Sequence, residues 1–465
     1  MDTKITEYIN AGKERFISDL GRLVNIKSER EAPLDGMPFG AGPAKALAEA
    51  GKLAEEHGFS MQNFENYAGE IQFGEDPSLM ILAHLDVVSE GDNWTKKPYE
   101  MTEEDGRLYG RGTTDDKGPA LACLYALEAV RELYGEPANG VRLVLGCGEE
   151  TGSEDMEYYF SRREKLPYTL SPDADYPLIN LEKGRFAPEF TKTVTDTGNV
   201  KEINGGGTAN IVPGKADALL GGVSLKDAES FFHAAQEMTG ASFRAAEEEN
   251  GVRIFCGGTS SHAAVPENGN NANTALLTYL SLILPDCALK SDINALLRLF
   301  PHGDTLGEAC GVKMSDEQSG ALSLNFGILH FDGETLRCGL DLRCPVCADE
   351  KNVRDVIINQ LEKYGFAFDG NPAMRPAHYV PEDAPIVKEA LRVYEDYTGR
   401  KGECLAIGGG TYVHDIEGGV AFGIEFPETD YRIHGADEFA VTDELLLTAC
   451  MYAQIIKDLC YGNEL

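Results

Sequence analysis

Two short strings carry side chains able to do chemistry. His84-Leu85-Asp86 closes the apolar run MILAHLDVV, and Arg111-Gly112-Thr113-Thr114-Asp115-Asp116-Lys117-Gly118 follows it. The first has the pattern of a buried strand ending in an imidazole and a carboxylate. The second is a glycine-punctuated turn that presents carboxylates just before a helix. With Gly148-Glu149-Glu150-Thr151-Gly152, Pro172-Asp173-Ala174-Asp175 and a late His434, the chain holds ligands for two metal ions and one Glu to spare. Two ions roughly 3.5–4 Å apart activate a shared water and polarise a carbonyl, so this equipment suits hydrolysis.

Imidazole nitrogen and carboxylate oxygen ligate zinc at about 2.0–2.2 Å, and carboxylate-rich sites also take manganese or cobalt. His84 supplies one nitrogen. Asp86, two residues on along an extended chain, points to the same face and suits a carboxylate that holds the imidazole tautomer. Glu149 and Glu150, read as neighbours on an extended segment, point to opposite sides. One can bind metal while the other faces the water as general base. Each string also has an ordinary structural role: Asp115 or Asp116 as a helix cap, Glu149-Glu150 as acidic surface, Asp173 as a turn residue. Their joint occurrence, each at a strand end or helix start, favours chemistry.

The elements that must position these groups alternate in type. Residues 4–28 have helical apolar spacing, Ala41–His57 opens near Pro43 and stops at Gly58, and Lys117–Tyr134 reads as a helix. Leu79–Ala83 and Val141–Leu145 are apolar runs of strand length. Alternation of this kind predicts an α/β sheet with helices on both faces and ligands gathered at the carboxyl ends of strands. From about residue 186 the character shifts to Gly-rich turns, strand-like pieces and two apolar helices, Asn273–Leu284 and Val353–Tyr364. Ala384–Tyr397 then resumes a helix and Val420–Phe426 a buried strand. The first domain is therefore expected to be discontinuous, 1–185 with 377–465, and 186–376 an inserted α+β lid.

Composition sets outer bounds. The 465 residues are 42% hydrophobic and 25% charged, as in ordinary globular proteins, and the length favours two domains. A net charge of −36 argues against nucleic-acid and anionic-membrane partners. No run approaches the roughly 18 to 20 apolar residues of a membrane helix, and the polar N-terminus does not read as an export signal. Eleven scattered cysteines read as reduced thiols, so a cytoplasmic location is expected. The histidines supply poor ligands for calcium, which disfavours an acidic calcium-binding protein.

HLD, GRGTTDDKGP, GCGEETGS and SPDADYP in this order resemble the co-catalytic metallopeptidase family of aminoacylase, glutamate carboxypeptidase and the carnosinase-like dipeptidases. The likeness runs over essentially the whole chain and is nearest to the bacterial PepV-type dipeptidases. It implies an α/β fold: a discontinuous catalytic domain with a mostly parallel sheet flanked by helices, plus the inserted lid. It also implies that His84, Asp115 and Asp173 hold one ion. Asp115 as bridge, Glu150 and His434 hold the other, zinc first with manganese or cobalt as alternatives. Asp86 supports His84, Glu149 is the base, and the Asp115–Asp116 peptide is cis.

In the lid, the resemblance makes His262, within Gly257-Gly258-Thr259-Ser260-Ser261-His262, a donor to the oxyanion, a contribution on the order of 3 kcal/mol. Arg343 and Asn210 bind the substrate's terminal carboxylate, and Gly409 and Gly410 can add backbone amides. Cys344-Pro345-Val346-Cys347 has redox or zinc spacing but no second ligand pair nearby. The expectation is a dinuclear metallodipeptidase, monomeric because of its large lid, acting on small peptides. The rivals are an N-acyl amino acid amidohydrolase on the same scaffold and a catalytically silent binding protein.

Overall fold

Leu79–His84 is buried along its whole length, because each face of its sheet is covered. Leu79, Ile81 and Ala83 point into the larger apolar core, which the helices Thr3–Ala11, Lys13–Val24, Lys117–Tyr134 and Thr442–Cys460 cover. Met80 and Leu82 point into a smaller one with Met156, Tyr159 and Tyr412. Side chains that alternate across a strand thus serve two cores at once.

The computed structural model describes residues 1–462. They divide into two compact units: Met1–Leu181 with the chain from His378 on, and Glu182–Ala377. In the first unit one mixed sheet runs Met61–Phe64, Ala68–Phe73, Val141–Gly146, Leu79–His84, Tyr168–Ser171, Gly419–Ala421, Leu178–Glu182, His378–Tyr379. Pairing is parallel at the centre, where Leu79–His84 lies between Val141–Gly146 and Tyr168–Ser171, and the latter also pairs Gly419–Ala421. Met61–Phe64 pairs antiparallel with Ala68–Phe73, Ala68–Phe73 with Val141–Gly146, and Leu178–Glu182 with Gly419–Ala421.

Three local expectations change. The 4–28 helix is two helices, Thr3–Ala11 and Lys13–Val24, parted at Gly12. The 353–364 helix is an α-helix only over Asp355–Lys363, with a π-helical turn, Glu350–Arg354, before it. The 420–426 strand is two pieces, Gly419–Ala421 and Ile424–Glu425, in different sheets.

The second unit is built on a ten-stranded sheet in which every named pairing is antiparallel, with Ser323–Phe331 and Thr335–Cys344 at its centre. The helices Ala272–Ile283, Ala288–Leu299 and Asp355–Lys363 supply much of its own apolar core. All eleven cysteines are free thiols. No described helix is long and apolar enough to cross a membrane.

Candidate metal centre

Three adjacent parallel strands deliver their side chains at one edge of the first unit's sheet. His84 ends its own strand and pairs in register with Gly146, after which come Glu149 and Glu150. Asp173 follows Ser171, the end of the strand on the other side. Asp115 comes from the turn before the Lys117–Tyr134 helix, across a cis Asp115–Asp116 peptide. His434 comes from the loop before Phe439–Val441 and has a left-handed backbone, φ 60°.

These groups meet. His84 Nε2 is 2.9 Å from Asp115 Oδ1 and 3.7 Å from Asp173 Oδ2. His434 Nε2 is 2.9 Å from Asp115 Oδ2 and 3.2 Å from Glu150 Oε1. Asp115 therefore offers one oxygen to each histidine. Two overlapping groups could hold an ion: His84, Glu149 and Asp173, and His84, Asp115 and Glu150.

The donor set fits divalent cations. Tetrahedral ligation at about 2.0–2.1 Å spaces ligand atoms about 3.3 Å apart, and the separations here, 2.9–3.7 Å, bracket that value. His84 Nε2 is buried and makes no well-directed hydrogen bond, although Asp115 and Asp173 carboxylate oxygens stand 2.9 and 3.7 Å from it.

Crowded acids shape the electrostatics. Burial, then Asp173 and Glu150, push the Glu149 carboxyl well above the ordinary range, and burial and Asp115 push Glu150 up to about 7. Burial also disfavours the Asp115 carboxylate, but His434 and His84 outweigh it and hold it well below its usual value. Asp115 and Glu150 raise His434 to about 11. For His84, burial opposes the charge and the carboxylates of Asp115, Asp173 and Asp86 more than compensate. A cation at the centre relieves this repulsion.

Two details differ from expectation. Glu149 and Glu150 lie on a one-turn 3-10 helix, Glu149–Thr151, not an extended segment, because Asp86 accepts both their amides, at 3.2 and 3.1 Å. Hence the Asp86 carboxylate grips the glutamate turn and also stands 3.4 Å from His84 Nδ1, where the Asp86 backbone carbonyl, at 3.0 Å, helps orient the imidazole.

Sequence inspection missed other supports. Asp116 accepts the His84 amide at 2.9 Å. Glu438, fully buried, takes the amides of Gly112, Thr114 and Asp115 at 3.0, 3.1 and 3.3 Å and pairs with Arg111 at 2.6 Å. Asp175 and Glu425 sit side by side in register on short parallel strands. Nothing local in the sequence marks Glu425.

The remaining candidates divide between the units. Gly409 and Gly410 lie in the first, between Cys404–Ile407 and the Tyr412–Asp415 turn. Asn210, His262 and Arg343 belong to the second. There the Asn210 carbonyl accepts the Ala263 amide at 2.9 Å, and Ile211 pairs with His262. His262 Nδ1 accepts the Ala264 amide at 3.2 Å, which places the proton of its neutral ring on Nε2. Asn325 donates to the carbonyls of Ala209 and Ile211, and the Ser323 hydroxyl to that of Ala263. Arg343 is buried and held by the fully buried Asp341 at 2.6 Å.

A family model described as peptidase family M20/M25/M40 matches residues 80–458. The chain belongs to this family. A curated relative, the Beta-Ala-Xaa dipeptidase of Lactobacillus delbrueckii subsp. lactis, is 34% identical over 481 residues, covering 100% of each chain. Among solved structures, human carnosine dipeptidase 1 aligns with a TM-score of 0.59 at 16% identity, over 97% of both chains. The aminoacylhistidine dipeptidase of Vibrio alginolyticus aligns at 0.56 and 15%, over 96% of both. The two structures share the fold of this M20/M25/M40 chain, a mixed α/β architecture.

Proposed function

We propose that this peptidase is a metal-dependent dipeptidase that hydrolyses the peptide bond of short, unblocked dipeptides. The observation that carries the proposal is the meeting of His84, Asp115, Glu150, Asp173 and His434 at one strand edge with Glu149 beside them. In this assignment His84, Asp115 and Asp173 hold one ion, and Asp115, Glu150 and His434 the other. Zinc suits these nitrogen and oxygen donors best, with manganese or cobalt as alternatives. When bound, the ions would acidify a shared water and polarise the scissile carbonyl.

The protein's own groups do the rest. Glu149, whose carboxyl burial and Asp173 make more basic, takes the proton of the attacking water and passes it to the leaving amine. Asp86 fixes Glu149 by its amide and His84 by its ring. His262 donates Nε2–H to the developing oxyanion. Arg343, with its planar fork, and Asn210 take the substrate's terminal carboxylate, with Gly409 and Gly410 amides in support. Asp175 and Glu425 meet the free amine. The 186–376 insertion serves as the lid that brings His262, Asn210 and Arg343 to the substrate, and the protein works as a monomer.

The test is a panel of free dipeptides and N-acetylated amino acids, run after chelation and readdition of zinc, manganese or cobalt. The Lactobacillus relative's name places β-alanyl dipeptides on it. Hydrolysis of free dipeptides but not acylated amino acids is expected. The reverse pattern would replace this proposal with the amidohydrolase.

A further inference from the structure

The turn that carries Glu149 and Glu150 has four successive amides, and all four end on buried carboxylates. Asp86 takes Glu149 and Glu150; Asp155 Oδ2 takes Cys147 and Gly148, at 2.7 and 2.8 Å. Asp155 is fully buried, and no cation pairs with it among the described residues. Its remaining partners are the Met156 amide, at 2.8 Å, and the Tyr412 hydroxyl, which donates a short hydrogen bond to the same Oδ2. Hydrogen bonds to an ionised acceptor are stronger than neutral ones, so this carboxylate grips its donors firmly.

Tyr412 links the turn to two other parts of the centre. It follows Gly408-Gly409-Gly410-Thr411 in the chain, and its ring stands edge-on to the His84 ring, centroids 6.2 Å apart. The pair also explains Gly146, the last residue of its strand. A β-carbon there would collide with both the Tyr412 hydroxyl and the Asp155 carboxylate. Gly146, Asp155 and Tyr412 form one packed unit beneath the turn.

We propose that Asp155 is a positioning residue for the base Glu149, setting the direction of the 147–150 turn and, through Tyr412, tying it to the glycine segment. The proposal rests on the assignment of Glu149 as base. A charged, counter-ion-free group in the interior is costly unless its acceptors are fully used, and here they are used on the catalytic turn. Misplacing a base by a fraction of an ångström slows the chemical step and leaves substrate binding intact.

The experiment compares wild type with Asp155→Ala, Asp155→Asn and Tyr412→Phe, each metal-loaded and assayed for bound metal by mass spectrometry. Two readouts are taken: steady-state hydrolysis of a free dipeptide, and hydrogen exchange of amides 147–150. Asp155→Ala is expected to lower kcat about 30-fold with KM held within about threefold and metal content unchanged. It should speed exchange at 147–150 and leave the Leu79–His84 strand protected. Asp155→Asn, whose carbonyl oxygen still accepts both amides, recovers most of the kcat; Tyr412→Phe shows a smaller fall in the same direction. Wild-type kcat and exchange in Asp155→Ala, or a loss that only tracks lost metal or unfolded protein, overturns the proposal. If Asp155→Ala does not fold, wild-type kcat and exchange in Tyr412→Phe overturn it equally. A wild type inactive on every dipeptide fails the dipeptidase assignment alone, and the exchange readout still decides Asp155.

Discussion

His84 Nε2 stands 2.9 Å from Asp115 Oδ1, yet no well-directed hydrogen bond joins them. The separation matches that of two ligand atoms on one cation, and Asp115 offers its other oxygen to His434 at 2.9 Å. Stripping the protein with a chelator is therefore expected to reduce hydrolysis to background, and readding one divalent ion to restore it. Metal analysis after gel filtration should find two ions per wild-type chain and fewer than one in Asp115→Ala. Full turnover in the stripped protein would sink the metal assignment.

Glu149 and Glu150 are adjacent in sequence, but their expected losses differ in kind. Glu149→Ala should cut kcat about 10³-fold, within the usual range for a missing general base, and keep both ions. Glu150→Ala should lose an ion as well. Steady-state kinetics alongside metal analysis separates the two. Loss of metal in Glu149→Ala would mean that the two roles are exchanged.

Glu425 and Asp175 stand in register on paired strands, and burial followed by the charges of Asp175 and Asp173 raises the Glu425 carboxyl to about 8. An ammonium group placed between them would relieve that repulsion. Glu425→Gln is expected to raise KM for free dipeptides about tenfold, the worth of one hydrogen bond to a charged group, with kcat little changed. An unaltered KM would remove Glu425 from amine recognition.

Away from the centre, His57 is buried between Asp19, 3.2 Å from its Nε2, and Glu128, 3.1 Å from its Nδ1. Arg22 and Tyr125 also face Asp19, and Arg15 faces Glu128. Burial works against the charged ring, but the two carboxylates outweigh it and raise its pKa above the ordinary 6.5. A raised folded pKa contributes stability that is complete below the unfolded value and disappears as pH rises through the folded one. His57→Gln should thus destabilise the fold by about 3 kcal/mol at pH 6, as removal of one partner from a buried charge pair does. The deficit should shrink in alkaline solution. Denaturation at several pH values reads this directly, and a deficit constant with pH would count against a charged His57.

Much of the fold class was legible in the chain itself. Leu79–Ala83 and Val141–Leu145 announce buried strands because residues covered on both faces are mostly apolar, Arg142 being the exception, and that pattern is local. Where a distant neighbour decides the conformation, the local pattern does not reveal it. The break at Gly12 has a local cause, a glycine capping Thr3–Ala11, whereas the Glu149–Thr151 turn is set by Asp86, which accepts two of its amides.

The sequence by itself determined which side chains could serve the centre, since His84, Asp115, Glu149, Glu150 and Asp173 sit where strand ends and helix starts expose them. Only the tertiary structure decided what holds them. Glu438 grips the Asp115 turn from more than 300 positions away, and Asp155 reaches Tyr412 across 257. Which amide a buried carboxylate meets depends on how distant segments pack, and no spacing along a chain encodes a bond of that kind.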